Sequence, residues 1–176
     1  GKYPFYADAW LPSDAIRGEL AEKWVWSDNP LQLTIELRKG VMFPEKPGVM
    51  KERELTAEDV AFAFNRLATS PKKIAGYFDH VEKVEATGKY TVVFTFKYFN
   101  AEWDYRFGWG YYSTITPKEV ADAGATNWKN VNGTGPFMLS DFVQGSSNTY
   151  SKNSIYWDKE KIDGVEYKLP FLDKVV

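Results

Sequence analysis

The stretch Thr56-Ala57-Glu58-Asp59-Val60-Ala61-Phe62-Ala63-Phe64 contains the strongest helix signal of the sequence. Thr56 and Asp59 have the spacing of a capping box, with Asp as a shorter replacement for Glu or Gln. Pro71 disfavours helical geometry at the residue before it, so the helix is predicted to end near Ser70. The apolar residues that recur at the spacing of one helix face are Val60, Ala63, Phe64 and Leu67.

Strand patterns lie on both sides of this helix. Residues 31–38 alternate between apolar and polar side chains, which predicts a half-buried strand. Residues 81–86 and 90–97 are joined by Thr87-Gly88-Lys89 and predict a hairpin. Strands and helices mix without a regular strand–helix–strand repeat, so the predicted fold class is α+β, a mixed sheet with short helices.

Shorter elements are predicted towards the two ends of the chain. A short helix is expected around residues 14–23, within an otherwise irregular first thirty residues. Thr116-Pro117-Lys118-Glu119 predicts a second helix with Thr116 as N-cap and Gly124 as its stop. Residues 137–143 and 148–152 predict another hairpin, and residues 165–168 one more strand.

A change of composition near residues 127–133 predicts a domain boundary. Residues 1–128 mix strands and helices, whereas residues 129–176 read almost entirely as strand and loop and are too few to hold a core alone. Gly133-Thr134-Gly135-Pro136 at this junction predicts a turn in which glycine supplies unusual backbone angles. A phosphate loop is excluded there because Pro136 removes a backbone N–H.

Charge and residue content exclude several classes of function. The 22 Lys plus Arg residues nearly balance the 24 Asp plus Glu residues, so no basic surface for nucleic acid is expected. The sequence contains no cysteine, which excludes disulfides and zinc–thiolate sites within these residues. His80 is the only histidine and has no neighbours with metal-ligand spacing. We therefore predict no catalytic residues, no metal site and no cofactor.

Aromatic residues make up 17% of the chain and concentrate in residues 103–112. This segment reads Trp103-Asp104-Tyr105-Arg106-Phe107-Gly108-Trp109-Gly110-Tyr111-Tyr112, which predicts an aromatic strand interrupted by two glycines. Glycines in such a strand allow the close approach of a ligand or of another backbone. Clustered aromatic residues and arginine are typical of binding surfaces, but a local core explains the pattern equally well.

Six motifs in order resemble the family 5 extracellular solute-binding proteins, which include oligopeptide, dipeptide and nickel carriers of bacterial ABC importers. The motifs are Leu20-Ala21-Glu22-Lys23-Trp24, Leu37-Arg38-Lys39-Gly40-Val41-Met42-Phe43, Leu55-Thr56-Ala57-Glu58-Asp59-Val60, Ile115-Thr116-Pro117-Lys118-Glu119, Gly133-Thr134-Gly135-Pro136-Phe137 and Asn153-Ser154-Ile155-Tyr156-Trp157. Ser154 and Phe137 depart from the family's usual Pro and Tyr.

The resemblance implies a type II periplasmic-binding-protein-like fold and a chain that is a fragment of a two-lobed protein. Residues 1–128 would be the small α/β subdomain of the first lobe, and residues 129–176 the β-rich start of the main lobe. The expected place is the periplasm or the cell exterior, with the signal segment outside this chain. The partners would be a peptide-like or other small solute and the permease subunits of the importer. The expected ligand contacts are Trp109, Tyr111, Tyr112, Tyr77 and Arg106.

Two other classes of function remain open at this stage. A carbohydrate-binding or carbohydrate-active accessory domain would also use aromatic side chains with scattered carboxylates. A protein-interaction module would expose aromatic residues to a partner. Because a fragment leaves apolar surface uncovered, self-association is expected through strand edges near residues 137–168.

Overall fold

A computed structural model describes residues 16–108 and 113–176 of the chain. Its main sheet has four antiparallel strands in the order β1-β2-β6-β5. The strands of this first part of the chain are β1 (Ala21–Asp28), β2 (Leu31–Leu37), β3 (Met42–Phe43), β4 (Arg53–Glu54), β5 (Val81–Ala86) and β6 (Thr91–Phe96). The predicted α+β class is confirmed, as are the strand at residues 31–38 and the hairpin formed by β5 and β6.

One face of the main sheet is apolar because the side chains alternate along every strand. Opposite partners share a face in an antiparallel sheet, and Trp26, Leu33, Phe94 and Val84 are successive partners across the four strands. Leu33, Phe94 and Val84 are buried. The other face exposes residues such as Val25 and Glu85. The sheet therefore needs a cover on one side only.

Helix α1 (Ala57–Thr69) supplies part of that cover by packing against β5 and β6. The backbone N–H of Thr56 donates to Asp59 Oδ2 at 2.9 Å, which completes the predicted capping box. Phe64 lies on the predicted apolar face and contacts Phe94 edge-to-face, with 4.9 Å between ring centroids. The helix ends before Ser70, which is extended, as Pro71 predicts.

Helix α2 (Trp103–Gly108) covers the other end of the same face and corrects the strand predicted at residues 103–112. Trp103 packs edge-to-face on Trp26 at 5.4 Å, and Phe107 stacks on Phe94 at 4.9 Å. Trp103 and Phe107 are four residues apart and therefore reach one face of a helix, and their packing on the sheet decides the conformation. Residues 109–112 lie outside the described part of the chain.

The N-terminal region also differs from its prediction. Residues 16–20 form no helix, and residues from Ala21 onward form β1 instead of the expected helix around residues 14–23. Trp24 and Trp26 extend the apolar face of the sheet, and their partners in β2 are Ile35 and Leu33. Pairing with β2 therefore overrides the helical pattern.

Helix α3 (Lys118–Asp122) begins one residue later than predicted, with Pro117 as N-cap in place of Thr116. Glu119 does not close a capping box. Its carboxylate instead accepts from Arg53 Nε at 2.7 Å and from Arg53 Nη2 at 2.8 Å. The predicted stop is confirmed, because Gly124 follows the helix with φ of +98°.

Residues 137–176 form two small antiparallel sheets. The first contains β7 (Phe137–Val143), β8 (Ser147–Lys152) and β11 (Lys174–Val175), and the second contains β9 (Lys159–Ile162) and β10 (Val165–Lys168). The predicted hairpin and the predicted strand at residues 165–168 are confirmed. Strand β9 was not predicted. All four of its residues are exposed, and all except Ile162 are charged, so they show no alternation of apolar and polar side chains.

Asn153 joins two of the quoted motifs from a buried position. Its Nδ2 donates to the carbonyl of Gly135 at 2.9 Å, and its Oδ1 accepts from the backbone N–H of Ile155 at 3.2 Å. Its own backbone N–H donates to the carbonyl of Pro136 at 2.8 Å. The predicted turn at Gly133 and Gly135 is a bend, but neither glycine has a positive φ, so the expectation of unusual glycine angles was wrong.

Replacing Asn153 with alanine is expected to lower the free energy of unfolding by about 1–3 kcal/mol, because it removes two side-chain hydrogen bonds from a buried residue and each is worth about 0.5–1.5 kcal/mol. Urea denaturation measures this value. The matched control is Asn148→Ala, which changes an exposed asparagine in β8 and is expected to cost less than about 0.5 kcal/mol. Equal losses in the two variants would show that Asn153 does not join the motifs.

Candidate functional site

Tyr77 and Arg106, two of the predicted ligand contacts, lie against each other. Arg106 Nη1 donates to the carbonyl of Tyr77 at 2.9 Å, and the guanidinium lies 4.9 Å from the centre of the Tyr77 ring. The Tyr77 hydroxyl donates to the carbonyl of Arg106 at 3.4 Å. The structure therefore connects α2 to the loop before β5 at the place where the sequence predicts a ligand.

The guanidinium of Arg106 also binds Glu102 and Gly76. Its Nη2 donates to Glu102 Oε2 at 2.7 Å, four residues earlier and immediately before α2. Its Nη1 also contacts the carbonyl of Gly76 at 3.4 Å. Most of its donors already have protein partners, so Arg106 fixes the geometry of this region more readily than it offers hydrogen bonds to a ligand.

A cavity of about 250 Å³ lies beside Tyr77. It is lined by Leu67, Ser70, Lys72, Lys73, Ile74, Tyr77, Phe78 and Thr114. Thr114 is close in sequence to the predicted contacts Trp109, Tyr111 and Tyr112, which lie outside the described residues. Its lining combines apolar side chains such as Leu67 and Phe78 with polar ones such as Ser70.

Exposed aromatic residues around α2 form a second feature, of which Tyr98 and Phe99 were not among the predicted site residues. Tyr98, Phe99 and Tyr105 are each more than half exposed. Phe99 packs edge-to-face on Trp26, with 5.4 Å between ring centroids. The available sequence signal was the dipeptide Tyr98-Phe99, which follows the strand predicted at residues 90–97.

A separate cavity of about 420 Å³ lies at the end of β2, lined by Glu22, Arg38, Lys39, Gly40 and Trp157. The Arg38 guanidinium lies 4.2 Å from the centre of the Trp157 ring, and Arg38 Nε donates to the carbonyl of Glu19 at 3.0 Å. Packing between Arg38 and Trp157 joins the second and last quoted motifs. This contact serves the structure, since it ties residues 153–157 to the main sheet.

Across residues 16–108 and 113–176, no group of three or more His, Asp or Glu side chains could hold a metal ion. In the same residues no helix is long and apolar enough to cross a membrane.

Comparison with known proteins identifies the family. The profile of the bacterial extracellular solute-binding proteins, family 5 middle region, matches residues 15–170. The chain belongs to this family. The family 5 chain is 30% identical to the dipeptide-binding protein of Escherichia coli (strain K12) over 170 residues, which cover 85% of this chain and 32% of that protein.

Solved structures agree with the family assignment. DppA of Helicobacter pylori, an ABC transporter-associated periplasmic binding protein in complex with the peptide STSA, matches with a TM-score of 0.70 and 29% identity over 90% of this chain and 33% of that one. The dipeptide-binding protein of Pseudoalteromonas sp. SM9913 in complex with Met-Leu matches with a TM-score of 0.62 and 30% identity, over 81% of this chain and 32% of that one. The predicted fold relationship to periplasmic binding proteins is confirmed.

The family 5 chain spans about a third of the length of these relatives. The relatives are solute-binding proteins of transport systems rather than enzymes, and the named ones bind peptides. This favours the solute-binding interpretation over the carbohydrate alternative.

Proposed function

We propose that the protein containing this chain captures a peptide-like solute and delivers it to an ABC importer. The observation that carries the proposal is the family match over residues 15–170, together with peptide-bound structural relatives. The chemistry is reversible binding without bond cleavage. The proposed mechanism is hinge closure of two lobes on the ligand, of which this chain contributes one wall.

The proposed ligand wall consists of Trp109, Tyr111 and Tyr112, with Tyr77 beside them and Arg106 behind. Two features support it: the cavity next to Tyr77 and the anchoring of α2, which directly precedes residue 109. Tyrosine and tryptophan provide a large rigid contact area with one polar edge, which suits a ligand of variable side chains.

Further parts of the proposal concern organisation and partners. Residues 1–128 act as a subdomain of the first lobe, and residues 129–176 begin the main lobe. The protein works outside the inner membrane and docks on permease subunits. The isolated chain self-associates through strand edges near residues 137–168, where exposed apolar side chains support this view: Phe142, Val143, Ile162, Val165 and Tyr167.

Replacing Trp109 and Tyr112 together with alanine in the full-length protein is expected to weaken peptide binding by about 10- to 100-fold, because central aromatic anchors dominate binding energy. Isothermal titration calorimetry with the peptides Ser-Thr-Ser-Ala and Met-Leu measures the change. The control is Tyr167→Ala, which removes an exposed aromatic ring from β10 and is expected to leave affinity unchanged.

Two outcomes of this calorimetry would count against the proposal. Unchanged affinity in the double variant would remove Trp109 and Tyr112 from the site while leaving the solute-binding function intact. Failure of the wild-type protein to bind either probe or any peptide of a mixed di- and tripeptide pool would contradict the peptide-like ligand.

A further inference from the structure

His80 occupies an unusual place in the core, immediately before β5. It is 0% exposed, and neither Nδ1 nor Nε2 has a hydrogen-bond partner among the described residues. Buried polar side chains normally have partners, so each exception needs an explanation. Its backbone carbonyl accepts from the N–H of Lys97 at 2.9 Å, whereas both imidazole nitrogens lack partners in the described part of the chain.

Aromatic rings enclose this imidazole. It stacks on Phe96 of β6 at 5.6 Å between centroids with 13° between planes, and on Phe107 of α2 at 5.9 Å and 12°. Tyr98, which follows β6, lies at 6.2 Å. A neutral imidazole stacks well on such rings, whereas an imidazolium without an acceptor is costly to bury.

Few charged groups face His80 from the surrounding elements. Arg106 of α2 acts on it as a like charge, and Asp79 of its own loop acts as an opposite charge. From β6 and the residues after it come the ring of Phe96, the phenol of Tyr98 and Lys97, whose Nζ donates to the carbonyl of Asp79 at 3.2 Å. Burial and then Arg106 lower the pKa of His80, against a smaller opposing effect of Asp79.

Helix α2 depends on this stack for its position. It has six residues, none of them buried, and it is too short to be stable without packing. The Phe107 ring holds it in place by packing against Phe94 and Phe96 of β6, Phe64 of α1 and His80. Trp103 and Arg106 supply its other attachments. A charge on His80 would therefore act directly on the main contact of α2.

We propose that His80 makes the attachment of α2 to the main sheet sensitive to pH: the helix is held while His80 is neutral and is released when His80 is protonated. The direction of this pH dependence follows from the linkage between protonation of His80 and attachment of α2. The folded state disfavours the proton, so the attachment is complete above the ordinary histidine pKa of about 6.5 and weakens as the pH falls below it.

A consequence for ligand binding rests on the proposed function. Helix α2 leads directly into residues 109–112, where the ligand wall is proposed. Release of α2 in acid would displace this wall and weaken binding of the probe peptide Met-Leu. If α2 were released in acid but binding of Met-Leu did not weaken, the proposed ligand wall would be contradicted and the pH-sensitive attachment would not.

The test uses the fact that the chain has a single histidine. NMR titration follows its imidazole signal without ambiguity, and hydrogen exchange at residues 101–108 is measured at pH 7.5 and 5.5 after division by the intrinsic exchange rates. The opening equilibrium of α2 is expected to rise up to about tenfold over this range in the wild type. The variant His80→Phe keeps an aromatic ring without a titrating group and is expected to show no such change.

Three results would overturn the inference. The first is an imidazole that titrates near the ordinary pKa while the amide signals of α2 stay unchanged, a measurement that needs no variant. The second is the same pH dependence of exchange in the wild type and in His80→Phe. If acid opened β6 as readily as α2, the effect would be general unfolding, and the proposed local attachment would be wrong.

Discussion

Replacing Phe94 with alanine is expected to lower the free energy of unfolding by about 3–5 kcal/mol. Phe94 is buried at the centre of the apolar face of the sheet. Its ring contacts Phe64 of α1 edge-to-face and stacks on Phe107 of α2, each at 4.9 Å between centroids. One side chain therefore joins the sheet to both helices that cover it, and alanine leaves a cavity between three elements that cannot all move inward.

Urea denaturation, followed by circular dichroism, measures the loss. Phe94→Leu keeps most of the apolar volume and is expected to cost less than half as much as alanine. The control Phe99→Ala removes a ring that is 56% exposed and is expected to cost less than about 1 kcal/mol. Equal costs at Phe94 and Phe99 would contradict the placement of the core between the sheet and the two helices.

Replacing Arg53 with methionine is expected to lower the free energy of unfolding by about 2–4 kcal/mol. Arg53 donates to both oxygens of Asp59, at 2.9 and 2.7 Å, and to both oxygens of Glu119. The side chain of Asp59 is 6% exposed, so the variant leaves a buried carboxylate without its cation. The side chains of Arg53 and Glu119 are each about a third exposed, which sets the cost below that of a fully buried pair.

The pH dependence of stability distinguishes loss of this cluster from loss of packing. Hydrogen bonds from Arg53 are the main cause that lowers the pKa of Glu119 from 4.5 to about 2. Because this pKa is lowered in the folded state, its contribution is present above pH 4.5 and is lost as the pH falls towards 2. The wild type is therefore expected to lose more stability than Arg53→Met over this range.

A surface pair provides the control for Arg53. Lys118 and Asp122 form an exposed ion pair one turn apart on α3. Lys118→Met is expected to change the free energy of unfolding by less than about 0.5 kcal/mol. If the two variants behaved alike at neutral pH, the cluster at Arg53 would be no more than a surface interaction.

The elements that the sequence predicted well have strong local signals. Helix α1 has a capping box, one apolar face and a proline after its end, and strand β2 has strict alternation. The elements that differed from prediction depend on distant partners. Strand β1 pairs with β2, and α2 is held by rings of the sheet, so neither can be identified from local propensity.

The same distinction applies to the candidate site. The sequence placed Tyr77 and Arg106 in one site through a family resemblance, and the structure shows that the two residues touch. The donors of Arg106 bind Tyr77, Gly76 and Glu102, which favours a positioning role for its side chain. All five ligand contacts, Tyr77 and Arg106 included, remain predictions.

The sequence by itself determined the fold class, the family and the absence of cysteine chemistry, because ordered motifs, alternation and composition are local or countable properties. Only the tertiary structure decided which side chains lose water and which polar groups lose partners. Asp59 reads as a helix cap in the sequence but is also the buried half of an ion pair. In the sequence His80 is an isolated histidine. In the fold its imidazole is buried between the rings of Phe96 and Phe107, and neither ring nitrogen has a hydrogen-bond partner among the described residues. Burial is a property of the whole fold, since it depends on residues far apart in the chain.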